Sequence, residues 1–65
     1  MSDTVQRIAD EFATWQLEDE KFSKGNSAAG TRARKALQEI AKLAKTRRAE
    51  ISEEKNSRKE AKASE

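Results

Sequence analysis

Lys24-Gly25-Asn26-Ser27-Ala28-Ala29-Gly30-Thr31-Arg32-Ala33-Arg34-Lys35-Ala36 is the stretch that decides the fold. It reads as a stop followed by a start. Glycine readily takes the left-handed backbone that closes a helix, so Gly25 marks an end. Asn26 is a strong N-cap, and the next helix is expected to begin at Ser27. The chain has no proline and only one other glycine, Gly30, so this is its principal break.

Upstream, Ser2 or Asp3 can cap a first helix. Its apolar residues Val5, Ile8, Phe12, Trp15 and Phe22 are spaced 3, 4, 3 and 7, an a/d heptad pattern interrupted by Asp19. Ala9 widens this stripe, and Leu17 lies off it. Downstream, Ala29, Ala33, Ala36, Leu37, Ile40, Leu43, Ala44 and Ile51 fall within roughly a third of the wheel at about 100° per residue. Gly30 lies one turn into this helix, where it costs about 1 kcal/mol against alanine. Contact with a phosphate or a neighbouring helix would account for it. Beyond Ser52 the pattern fades, and no large apolar side chain remains among residues 53–65.

The expected fold class is therefore all-α: an antiparallel helical hairpin of two amphipathic helices. Residues 1–56 form the hairpin, with a helix over about 3–23, a turn at 24–26 and a helix over about 27–54. Residues 57–65 form a charged tail, frayed or disordered. The rival arrangement is one continuous helix through Gly25 and Gly30 in a parallel coiled coil.

Sixty-five residues at 34% hydrophobic and 40% charged leave a thin core. The chain has no cysteine for a disulfide, and without histidine or cysteine a zinc site is not expected. Self-association is the remaining way to enlarge the core. A homodimer or higher homo-oligomer, as a four-helix bundle or a coiled-coil dimer, is the expected state. Val5, Ile8, Phe12, Trp15, Phe22, Leu37, Ile40 and Leu43 are the candidate core or oligomer residues. No run of about 18 apolar residues and no apolar leader stretch is present, so no membrane partner is expected and the protein reads as cytoplasmic.

Charge is sorted along the chain. Residues 24–49 hold eight bases and one acid, residues 1–22 six acids and two bases, and residues 50–65 five acids and four bases. The overall +2 thus conceals a local +7. A block of this sign points to a polyanion. With Ile40 at 0° and about 100° per residue, Arg48 lies at 80°, Arg34 at 120°, Lys45 at 140°, Lys42 at 200°, Lys35 at 220° and Arg32 at 280°. The bases therefore line the side away from the apolar face, spaced to follow a phosphate backbone by counterion release. Arg47, near 340°, is expected to lay its stem along the core edge and pair with an acid such as Asp3 or Asp10.

Nothing on that face offers base readout, and the aromatic residues belong to the apolar stripe and not to a stacking platform. No nucleophile with a held partner, general base or phosphate-binding glycine loop is visible. No catalytic residue, metal ligand or cofactor is expected, and the protein is not read as an enzyme. The blander reading is a structural coiled-coil or adaptor module with a protein partner, its basic face being only solvated surface. Structured RNA is a third option that charge cannot separate from DNA.

The Lys24–Ala36 run, followed by Leu-x-x-Ile-x-Lys-Leu and a basic patch, resembles bacterial histone-like nucleoid proteins of the chlamydial linker-histone-like type and their Bacteroidetes relatives. In those sequences a Gly-Asn-x-Ala-Ala break precedes an Arg-x-Arg basic helix. The resemblance covers roughly residues 5–56. It implies double-stranded DNA binding without strong sequence preference, a nucleoid location and DNA condensation. It also implies contacts from Lys24, Arg32, Arg34, Lys35, Lys42 and Lys45, to which the wheel adds Arg48. The chlamydial proteins carry a long Lys/Ala-rich C-terminal tail. The near-neutral residues 53–65 here imply weaker and more salt-sensitive binding.

Overall fold

A computed structural model describes the backbone of residues 3–63 and the side chains of residues 3–59. Ser2, one of the two expected caps, and residues 64 and 65 of the expected tail lie outside the described residues. The described chain is two α-helices, α1 (Asp3–Ser23) and α2 (Ser27–Ala63), with no strand among the described residues. Principal extents of 59 × 16 × 15 Å make it a rod.

The break is built by backbone chemistry. Gly25 has φ +106°, and its N–H donates to the Phe22 carbonyl at 2.9 Å. The Asn26 N–H donates to the Lys21 carbonyl at 3.1 Å. Together these two bonds form a Schellman closure, which satisfies carbonyls that the end of α1 would leave orphaned. Asn26 then opens α2. Its side-chain Oδ1 accepts from the Ala29 N–H at 3.1 Å, and its carbonyl accepts from the Gly30 N–H at 3.3 Å. One residue thus ends one helix and caps the next.

Contacts between the helices join the start of α1 to the later part of α2 and the end of α1 to its beginning. The Thr4 hydroxyl donates to Glu50 Oε2 at 2.7 Å, Glu18 meets Arg32 at 2.7 Å, and the Phe22 ring lies over Gly30. Covered on α2 are Ala29, Ala33, Ala36, Ile40, Leu43, Arg47 and Glu50, spaced alternately four and three, with Gly30 and Glu39 half-buried beside this line. On α1 they are Thr4, Ile8, Glu11, Trp15 and Glu18, with the same alternation, and Val5 and Asp19 half-buried beside them. This is a heptad seam.

The seam differs from the apolar stripe expected on α1. Ala29, Ala33 and Ala36 are buried, and so are Thr4 and Glu18, each 8% exposed. Val5, Ile8, Trp15, Ile40 and Leu43 are half-buried. Phe12, Phe22 and Leu37, expected as core or oligomer residues, are about half exposed in the single chain. An alanine face explains the offset. It lets the helices approach closely there, and Phe12 and Phe22 stay at the edge, while Trp15 is half-buried in the seam. The Phe12 and Trp15 rings pack against each other, with centroids 5.5 Å apart and planes tilted by 48°. The Trp15 indole N–H is buried without a partner. Arg47 is half-buried in the seam register and its guanidinium meets Glu50 at 3.0 Å.

Two flanks border the seam. On one lie Val5, Phe12 and Asp19 of α1 with Gly30, Leu37, Ala44 and Ile51 of α2, each set spaced by seven. This flank is mostly apolar. The other carries Arg7, Thr14, Lys21, Arg32, Glu39 and Thr46 and is polar.

The second difference concerns length. α2 does not end near residue 54 but continues to Ala63. Residues 53–63 are mostly Ala, Lys, Arg and Glu, strong helix formers, and Glu54 pairs with Arg58 at 2.7 Å in the favourable acid-before-base order. Because Thr4 reaches Glu50, roughly the last 12 residues of α2 project beyond α1, about 18 Å at 1.5 Å per residue.

Candidate nucleic-acid interface

Each expected DNA-contacting residue falls into one of two groups. In the first, an acid already holds the base. Lys24 pairs with Glu20 at 3.3 Å, Arg32 with Glu18 at 2.7 Å, and Lys42 with Glu39 at 3.8 Å. In the second group, Arg34, Lys35, Lys45 and Arg48 have no acid within 4 Å among the described side chains. All four are exposed.

The pairs are not equally firm. Lys24–Glu20 and Lys42–Glu39 are solvent-exposed, and such pairs contribute only about 0–1 kcal/mol, so a phosphate could compete for either lysine. Arg32 differs because its partner Glu18 is buried, with 11% of its side chain accessible, and also faces Lys21 at 3.9 Å. Withdrawing Arg32 would leave a buried carboxylate with the weaker partner Lys21.

The unpaired bases share the outer face of α2. Relative to the seam they fall on the outer heptad lines, Arg34 and Arg48 on one, Lys35 on a second that also carries the paired Lys42, and Lys45 on a third that also carries Gln38. Glu39, the acid among them, lies on the polar flank with Arg7 and Glu11 of α1. Thr31, Arg34, Lys35 and Gln38 line a shallow groove on this face. Thr31 and Gln38 were not singled out from sequence. Their spacing to Arg34 and Lys35, at i−3, i+3 and i+4, was the available signal, since such neighbours share one face. The groove offers a hydroxyl, an amide and two cations, donors suited to a phosphodiester oxygen.

Among the described residues no cluster of three or more His, Cys, Asp or Glu is placed to hold a metal ion. No described helix is long and apolar enough to cross a membrane. The histone H1-like protein Hc1 family matches this chain over residues 2–57. The chain therefore belongs to that family, the chlamydial histone-like one that its Lys24–Ala36 run resembles. No curated protein and no solved structure matches it.

Proposed function

We propose that this protein is a non-enzymatic, histone-like DNA-binding protein that binds the double-stranded backbone through the outer face of α2 and helps organise the nucleoid. Membership of a histone H1-like family supports DNA as the polyanion. The observation that carries the reading is the set Arg34, Lys35, Lys45 and Arg48, exposed, on one face and free of acids. Lys42 and Lys24 join when phosphates displace their weak partners. The mechanism is phosphate neutralisation with release of condensed counterions. No base-reading side chain is required, so binding is indifferent to sequence.

The acting form is an antiparallel hairpin paired with a second copy. The flank of Val5, Phe12, Leu37, Ala44 and Ile51 supports this, since Phe12, Leu37 and Ile51 stay exposed in a chain whose buried apolar residues are Ala29, Ala33 and Ala36. Packing two such flanks together makes a four-helix bundle and leaves both basic faces outward. A dimer of this kind presents two DNA-binding faces, as bridging and condensation require.

The test replaces Arg34, Lys35, Lys42 and Lys45 by Gln together. Duplex binding by fluorescence anisotropy is expected to vanish at moderate salt, with circular dichroism and sedimentation unchanged. If the chain were an adaptor whose charge is incidental, the Gln set would leave its partner binding intact and Ile40→Asp would destroy it.

A further inference from the structure

We propose that the DNA-contacting surface does not stop where α1 stops, but continues along the projecting end of α2 through Lys55 and Lys59. The inference rests on the DNA-binding reading above and extends it to residues outside the basic block. Its basis is the placement of charge around α2. Arg34, Ala41, Arg48 and Lys55 are each seven apart, as are Gln38, Lys45, Ser52 and Lys59. These two heptad lines adjoin on the outer face, and neither carries an acid.

The acids of α2 follow the opposite rule. Glu50 lies in the seam, Glu54 continues the seam line of Ala33, Ile40 and Arg47, and Glu53 continues the flank line of Glu39 and Thr46. Beyond Glu50 there is no α1 left to face, yet Glu53 and Glu54 keep to the seam side. Glu54 is taken up by Arg58 on that side, at 2.7 Å. Lys55 and Lys59 have no acid within 4 Å among the described side chains. A helix end that served only as a solvated tail would have no need of this sorting.

The result is a straight ridge of Arg34, Lys45, Arg48, Lys55 and Lys59 spanning 25 residue steps, about 38 Å at 1.5 Å per residue. The partner that fits is a rigid phosphate array at least as long. A duplex supplies it, with phosphates about 3.4 Å apart along each strand, over about 11 base pairs.

The test uses the full chain and a duplex of about 30 base pairs, with anisotropy followed across salt. Two variants are compared with wild type: K55Q/K59Q, and the exchange E53K/K55E, which keeps net charge and composition but puts an acid on the ridge. Loss of two phosphate contacts should flatten the log–log salt slope by about 1.8 and weaken binding on the order of tenfold or more at 0.1 M salt. The exchange should weaken binding at least as much as a single lysine loss, with helicity by circular dichroism unchanged. Variants that match wild type in slope and affinity overturn the ridge and leave the DNA reading standing. A wild-type chain that does not bind the duplex overturns both.

Discussion

Glu18 of α1, 8% exposed, holds Arg32 of α2 by a 2.7 Å bond from the arginine Nε to its Oε2. One acid of the first helix thereby occupies a base at the edge of the surface assigned to DNA. Arg34, two residues on, has no such partner. Net charge treats the two arginines alike, whereas the structure separates them.

That separation gives the first prediction. Arg34→Gln should flatten the salt slope of duplex binding by about 0.9, and Arg32→Gln should leave it nearly unchanged. Arg32→Gln should instead lower stability, by about 1–3 kcal/mol, because Glu18 is left with a weaker partner. Equal slopes for the two variants would contradict the division into held and free bases.

The turn should tolerate little change. Gly25→Ala places a Cβ at φ +106°, at a cost of about 1–2 kcal/mol. Asn26→Ala removes the acceptor for the Ala29 N–H and should cost about 1 kcal/mol. For a chain of this size each kilocalorie lowers Tm by about 4–8 °C, which thermal circular dichroism resolves.

Gly30 and Phe22 should be coupled. A Cβ at Gly30 would lie 2.5 Å from Phe22 Cδ1 and 2.8 Å from Cε1, so the ring must move. In the wild-type background Gly30→Ala should therefore destabilise, since overpacking of about 1–3 kcal/mol exceeds the gain in helix propensity. In a Phe22→Ala background the same change should stabilise, by about 1 kcal/mol. A double-mutant cycle by denaturant unfolding measures the coupling, and additive effects would remove the packing explanation for this glycine.

Leu37→Glu tests the apolar flank. Leu37 is 47% exposed and outside the seam, so the substitution should leave the helices paired. Sedimentation should show dissociation to a single chain with little loss of helicity. A wild-type protein that already sediments as a monomer would contradict self-association.

The helix break is legible in the chain because Gly25 and Asn26 act on their own neighbours, through bonds spanning three to five residues. The basic face is legible for a similar reason, since helical spacing alone assigns residues to a side. The α1 seam was not, because which stripe goes inward depends on the helix opposite. Val5, Phe12 and Phe22 make a clear apolar pattern, but the buried residues of α1 are Thr4, which meets Glu50, and Glu18, which meets Arg32. The length of α2 was hidden for another reason. Residues 53–63 lack apolar periodicity, and their helix rests on backbone propensity and on pairs such as Glu54–Arg58. The pairing of Glu18 with Arg32 needs the register between helices, which neither helix encodes alone.

Phosphate neutralisation by the outer face of α2 is read out by the salt dependence of wild-type binding to a mixed-sequence duplex of about 30 base pairs. Free outer-face bases contacting about five or six phosphates predict a log–log slope near −5, the same for unrelated sequences. A slope flatter than about −2, or no binding at low salt from a fully helical protein, would contradict the account.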